Sequence, residues 1–281
     1  MVGCGGIGST VISYLGGAGV GMILCDHDVV EVTNLHRQLI HDTAAASARM
    51  NKAMSAQKRI REQNPHVHVE AIAEKVTAEN ARSLAGRADV VVDATDNVES
   101  RYIINDACMK EGKVLVSGSA VGMEGQISVF YPQQGPCYRC LYPKPSSLSS
   151  CRSCADAGVL GPIPGAIGCF QAMETLKVLL LAHRASSSSS SSSSGGGGGG
   201  SMQTMRGKQV LYDGHQGEFH TFQLPQKRRE DCSACGGVVP KAGKEEREGG
   251  SDGTSNHGID GEGYAGSANP EQQQVPSVSA A

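Results

Sequence analysis

Six residues near the start of the chain, Gly3-Cys4-Gly5-Gly6-Ile7-Gly8, restrict its fold more than any other feature. They satisfy G-x-G-x-x-G and lie where an apolar strand would feed a helix. Glycines there allow a tight turn and let backbone N–H groups approach a phosphate at the helix N-terminus. From this loop to residue 131, short β-rich runs alternate with helical patterns. The strands are expected at "MILCD" (22–26), "HVHVEAI" (66–72), "DVVVDATD" (89–96), "KVLVSGS" (113–119) and "GQISVFY" (125–131), with helices near 8–17, 48–63, 77–85 and 98–111. This alternation predicts an α/β, Rossmann-like fold with a mostly parallel sheet. A first strand of about five residues is usual, and only Met1-Val2 precede Gly3, so that strand is expected to be cut short.

The residues after the loop narrow the ligand. Asp26 ends the second strand, 18 residues after Gly8, where a carboxylate accepts from ribose hydroxyls. An NAD dehydrogenase would satisfy that much. However, "TNLHRQ" (33–38) supplies Asn34 and Arg37, and Lys52 opens a helix. A dinucleotide's pyrophosphate is served by the loop itself, whereas a triphosphate calls for added cations. "DVVVDATDN" ends in Asp96-Asn97 at the carboxyl end of a strand, the side on which ligands bind. Asp96 is therefore placed to hold Mg²⁺, its competing role being to cap the helix from Val98. Together these residues predict ATP with Mg²⁺.

A formal net charge of −3 argues against a general nucleic-acid binder. Residues 1–8 lack the basic flank of a signal peptide, and the ten cysteines cluster in C-x-x-C pairs, as metal or redox centres do in a reducing compartment. A cytosolic protein is expected. The most apolar stretch, 165–182, is interrupted by Gln171, Glu174 and Lys177, which suits a buried or interface helix rather than a membrane span.

Residues 132–161 form a Pro/Ser/Cys-rich connection without periodicity, long enough to be functional. After a helix over 162–183 come nine serines and six glycines, a flexible linker at 186–201. "KQVLYD" and "EFHTFQL" then alternate like a hairpin, within a C-terminal segment 207–237 that ends in another C-x-x-C. Residues 240–281 have almost no large apolar side chain and are expected to be disordered.

The cysteine pairs admit two metal sites. Cys137, Cys140, Cys151 and Cys154 have the spacing of a compact zinc ribbon. The rival set joins Cys137 and Cys140 to Cys232 and Cys235, pinning the hairpin back on the loop. It is favoured because the downstream pair follows a hairpin, precedes Gly236-Gly237 and would otherwise be unexplained. Cys4, Cys25, Cys108 and Cys169 read as small buried residues; Cys151 either resolves a disulfide with Cys154 or is incidental, the latter being favoured.

The order GCGGIG…D-x-D…NL-x-RQ…K…DATDN-x-x-x-R…EGQISVF…GPCYRC…CADAGVLGP resembles the MoeB/ThiF group of ubiquitin-activating-type adenylyltransferases, most closely its eukaryotic branch that activates molybdopterin synthase and Urm-type carriers. The resemblance runs through residues 1–183 and returns at 208–236. It implies a homodimer that adenylylates the C-terminal glycine of a ubiquitin-like sulfur carrier, leading to thiocarboxylation for molybdenum cofactor synthesis or tRNA thiolation. It places Gly6 at the phosphates and Asp26 at the ribose. Thr33, Asn34, Leu35, His36, Arg37 and Lys52 fall along the nucleotide, Asp96 at the magnesium and Asn97 beside it, with Gln38 and Arg101 in the same site. It also puts zinc on Cys137, Cys140, Cys232 and Cys235, and the thiol nucleophile at Cys154. The family's N-terminal Arg and its C-terminal rhodanese domain have no counterpart in this sequence, so sulfur is expected from a rhodanese or cysteine desulfurase in trans. The alternatives are a non-catalytic activating-enzyme-like subunit and an NAD(P) oxidoreductase, the latter leaving the zinc pairs without a use.

Overall fold

A computed structural model describes residues 1–143, 158–187 and 202–236. Cys151 and Cys154 lie outside them, as do most of the Ser/Gly run and the tail beyond 236. In chain order the elements are α1 (Gly6–Gly17), β1 (Met22–Cys25), a 3₁₀ turn (Val32–Asn34), α2 (Thr43–Ser47), α3 (Lys52–Gln63), β2 (Val69–Ile72) and α4 (Ala81–Gly86). There follow β3 (Val90–Asp93), α5 (Val98–Glu111), β4 (Val114–Val121), β5 (Glu124–Phe130), α6 (Tyr138–Leu141), α7 (Pro162–Ser187), β6 (Lys208–Asp213) and β7 (Glu218–Gln223).

The sheet is parallel at its N-terminal end and antiparallel beyond β4. β1 pairs with β2 and β3 with β4 in parallel, while β4, β5, β6 and β7 follow as antiparallel neighbours. Val2 bridges Cys25 and Asp93, both in parallel, and so joins the two parts. The glycine loop that follows it therefore leaves the sheet between β1 and β3, at the carboxyl ends of both. A crevice at that position is the usual ligand site of open α/β sheets.

Helices cover both faces. α1 packs on α7, and α7 also lies on β4 and β5. Their close approach needs Gly168, where a Cβ would stand 2.6 Å from the Ile7 carbonyl. α4 and α5 pack together on the other face, with Val91, Ile104, Leu115 and Phe130 in the core there. α7 is long and apolar enough to cross a membrane by composition, and one of its faces packs into the core. Ile167, Gln171 and Glu174 are fully buried on it. The Gln171 amide donates to the Asp93 and Val116 carbonyls, and Glu174 accepts from the Met205 N–H. That last bond, with Lys177 donating to the Gln203 carbonyl, fastens the chain where it returns toward β6.

Two local expectations are corrected. Cys169 is exposed rather than buried, because it lies on the face of α7 opposite Ile167 and Gln171, alongside exposed Met173 and Leu180. The helix expected near 48–63 starts only at Lys52, and a separate short helix, α2, precedes it, so two helices stand in this region. Asp42 caps the first by accepting from Ala45 N–H, and Asn51 caps the second by accepting from the N–H groups of Ala53 and Met54. The apolar helix itself continues to Ser187, past the first serines of the linker.

Candidate functional site

The glycine loop, the β1 end and the α5 start enclose one cleft. Gly5, Gly6, Asp26, Arg37, Lys52 and Asp96 all line it, as do Asn97, Gln38 and Arg101. α1 begins after Gly5 with no side chain capping it, so its first N–H groups face the cleft with the positive end of the helix dipole behind them. Gly8 is obligatory for this turn, since a Cβ there would lie 2.2 Å from the Gly3 carbonyl.

Asp26 shapes the loop as well as facing the ligand. Its Oδ2 accepts from Cys4 N–H at 2.7 Å and its Oδ1 from Asp28 N–H at 2.9 Å. Burial raises its pKa, while those two N–H groups and Lys52 oppose the rise. Lys52 is buried along its stem and reaches Asp28 at 2.9 Å. Asn51 fixes this geometry from below, its amide donating to the carbonyls of Asp26 and Asp28. Arg37 is held by Asn34, whose Oδ1 accepts from the guanidinium at 2.8 Å. Thr33, Asn34, Leu35 and His36 do not themselves line the cleft. They form the turn that presents Arg37, with His36 Nδ1 2.9 Å from the Thr33 carbonyl.

Asp96 is not a helix cap. That role belongs to Asn97, whose Oδ1 accepts from Ser100 N–H at 2.9 Å. Asp96 is exposed, on the cleft, and its carboxylate makes no hydrogen bond among the described residues. Asp26, His27 and Asp28 also cluster closely enough to hold a cation, but Lys52 and the loop N–H groups already occupy oxygens of both carboxylates. Gln38 Oε1 and Arg101 Nε are buried without a partner among the described residues, and both residues line the cleft. Orphaned polar atoms of this kind are costly unless a ligand or water completes them. The donor set fits a nucleotide triphosphate with a divalent cation: N–H groups and two cations for the anion, and one free carboxylate for the metal.

Sequence reasoning passed over His41. Its Nε2–H donates to the Cys4 carbonyl and its Nδ1 accepts from the Ser55 hydroxyl, both at 2.9 Å. The ring ties the glycine loop to α3, the helix that carries Lys52. Burial lowers its pKa, so it is held neutral. No linear motif marks it, because its partners lie 37 and 14 residues away.

A second, larger cavity lies between β1 and β3, lined by apolar side chains such as Leu15, Met22, Val91 and Ile104. No residue of the glycine loop from Gly3 to Gly8 lines it, and the Arg87 guanidinium on its rim is paired with Glu70.

Among the described residues, Cys137, Cys140, Cys232 and Cys235 converge. Cys137 Sγ lies 3.9 Å from Cys140 Sγ and 3.7 Å from Cys232 Sγ, and Cys140 Sγ lies 3.4 Å from Cys235 Sγ. Ligands about 2.3 Å from a tetrahedral zinc stand about 3.8 Å apart, so the four thiols fit that ion and are too distant for a disulfide. Burial drives the Cys137 thiol up to about 11. At Cys232 burial also acts upward, but N–H groups of Cys235 and Ala234 and neighbouring thiols outweigh it and bring the thiol to about 7. The remaining buried thiols are inert: desolvation pushes Cys4 and Cys108 well up and Cys25 to about 11. The nucleophile expected at Cys154 lies outside the described residues.

Comparison with known proteins agrees with this geometry. The model of the ThiF family matches residues 1–234. The chain is 42% identical over 236 residues to the adenylyltransferase and sulfurtransferase MOCS3 of Culex quinquefasciatus, covering 84% of this chain and 49% of that protein. The Arabidopsis thaliana protein of the same name is 47% identical over 237 residues, with 84% and 46% covered. The chain thus spans about half the length of the curated relatives it matches. Among solved structures, E. coli MccB with a MccA variant superposes with a TM-score of 0.67 at 20% identity, covering 84% of this chain and 66% of that one. E. coli MccB with ATP gives 0.64 at the same identity, with 84% and 64% covered. These likenesses establish the fold.

Proposed function

The chain belongs to the ThiF family, and from that premise we propose that it uses Mg-ATP to adenylylate the C-terminal glycine of a ubiquitin-like sulfur carrier. The observation that carries this reading is the convergence in one cleft of an uncapped helix N-terminus, Arg37, Lys52 and the unpaired Asp96 carboxylate. A dinucleotide would leave the two cations and that carboxylate without a task.

The chemistry follows from the placement. Asp26 receives the ribose, the loop N–H groups and Gly6 the phosphates, and Arg37 and Lys52 the charge on the departing pyrophosphate. Asp96, with Asn97 beside it, would hold magnesium, which when bound screens the phosphates and orients them for in-line attack. The carrier's terminal carboxylate attacks the α-phosphorus, the bond to the bridging oxygen breaks, and an acyl-adenylate forms. The Cys154 thiolate, or its persulfide, then attacks the activated carbonyl and expels AMP. In the persulfide route, with outer sulfur from a rhodanese or cysteine desulfurase, that attack leaves an acyl disulfide on Cys154; a second thiol then attacks the Cys154 sulfur, forms a disulfide with it and releases the carrier thiocarboxylate, for molybdenum cofactor synthesis or tRNA thiolation. Cys137, Cys140, Cys232 and Cys235 would hold zinc, which when bound cross-links the hairpin to the loop before α6.

The protein is read as a cytosolic homodimer acting on a protein substrate, without direct nucleic-acid or membrane contact. Exposed Met173 and Leu180 on α7 favour a partner subunit there, and sedimentation showing a concentration-independent monomer would count against it. ATP–pyrophosphate exchange tests the central reading. Exchange should require the carrier and fall at least about 100-fold in Asp96→Ala, the loss of one metal-anchoring charge being worth about 3 kcal/mol. Exchange without the carrier, or undiminished in that variant, defeats the mechanism.

A further inference from the structure

Helix α5 reaches both of the sites described above. Its cap Asn97 and Arg101, one turn on, line the nucleotide cleft. Asn105, a further turn along, is completely buried beside the cysteine cluster. Residues 97, 101 and 105 recur at a spacing of four and so share one face.

The contacts of Asn105 are specific. Its Nδ2 lies 3.7 Å from Cys137 Sγ and 3.2 Å from Asp106 Oδ1, and its Oδ1 accepts from the Tyr138 N–H at 2.9 Å. The next residue of α5 continues the grip: Asp106 takes the Arg139 guanidinium at 2.6 and 2.8 Å. Arg139 in turn covers the Tyr102 ring at 4.4 Å. Every residue from Cys137 to Arg139 is thus held by a side chain of α5. A buried amide costs more than an apolar side chain of its size unless both of its ends find partners, and at Asn105 one partner is a metal-ligand sulfur.

We propose that Asn105 is the outer-shell positioning residue of the zinc centre, and that through it metal occupancy steadies α5 and the Asn97–Arg101 wall of the nucleotide cleft. The inference rests on the four cysteines binding zinc. A zinc-bound thiolate keeps lone pairs and negative charge, so an N–H donor both orients it and tempers its electron donation. The same amide accepts from Tyr138, so it aligns the whole turn that carries Cys137 and Cys140. Metal and nucleotide binding are then linked, each favouring the same placement of one rigid helix.

The test uses the full chain, zinc-loaded and metal-stripped, and Asn105→Asp. That substitution preserves shape and the acceptor for Tyr138 but turns a carboxylate oxygen toward the thiolate. Zinc affinity, read by competition with a chromophoric chelator, should fall at least about tenfold. In the cobalt-substituted variant the sulfur-to-metal charge-transfer band should move to lower energy, a change that loss of packing alone would not produce. Hydrogen exchange in the unmutated chain needs no variant: stripping the metal should speed exchange along α5, and calorimetry should show weaker ATP binding. An unshifted band with unchanged zinc affinity overturns the role of Asn105. Equal α5 exchange and equal ATP affinity with and without metal overturn the linkage. A chain that binds no zinc overturns the metal reading beneath both.

Discussion

Replacing Lys52 by alanine separates a catalytic cation from a structural one. The ammonium lies 2.9 Å from Asp28, whose side chain is half exposed, while the lysine itself is 7% exposed. The pair itself, with Asp28 half exposed, contributes about 1 kcal/mol to stability, and truncating the buried stem costs packing as well, so Lys52→Ala should melt several degrees below the unmutated protein yet remain folded. Its effect on a bound triphosphate is larger. A unit charge about 4 Å from a phosphate oxygen, at the effective dielectric of about 20 that suits a cleft edge, is worth about 4 kcal/mol. The opposing field of Asp28 and screening by solvent reduce this to about 2–3 kcal/mol. Carrier-dependent pyrophosphate exchange should therefore lose about 30- to 150-fold in kcat/KM. Asp28→Asn is the companion measurement, because it removes the partner and leaves the cation. It should lose much less, since the freed ammonium can still turn to the phosphates. If Asp28→Asn proves as damaging as Lys52→Ala, the lysine acts only by ordering the D-x-D loop and its assignment to the phosphates is wrong.

Two further outcomes follow from the cysteines and from His41. Cys232→Ala should release zinc and lower the melting temperature, whereas Cys154→Ala should keep zinc and pyrophosphate exchange but yield no thiocarboxylate; metal content and product mass decide, and the reverse pattern would support the compact ribbon. His41 is lowered from its usual 6.5 by burial, so below about pH 6.5 the unfolded chain takes a proton that the folded chain refuses. Stability should then fall with pH, by up to about 1.4 kcal/mol per unit from this group, until the lowered folded value is reached. His41→Gln should remove that increment from urea midpoints compared at pH 7 and pH 5.5, and an unaltered slope would show that His41 is not its source.

Much of this protein was legible from local pattern. β6 and α5 fall on the runs expected of them, Lys208–Asp213 and Val98–Glu111, because alternation, caps and the αL glycine at 112 are written in adjacent residues. That residues of the glycine loop, Asp26, Arg37, Lys52 and Asp96 meet in one cleft was legible too, since they stand at strand ends and loop positions that open on one side of the sheet. What adjacent residues could not supply was the company each side chain keeps. Asn51 reads as a mid-helix residue until its amide is seen bridging Asp26 and Asp28 while it caps α3. Cys169 reads as core until the packing of α7 shows which face points outward. The sequence offered two metal sites, and only the fold shows Cys232 and Cys235 approaching a turn 95 residues earlier. The same folding brought His41 beneath Cys4 and Asn105 beside Cys137. Chain spacing constrains neighbours within a turn or a strand, whereas contacts across tens of residues are fixed by how helices and sheet share their buried faces, and at those contacts tertiary structure decided.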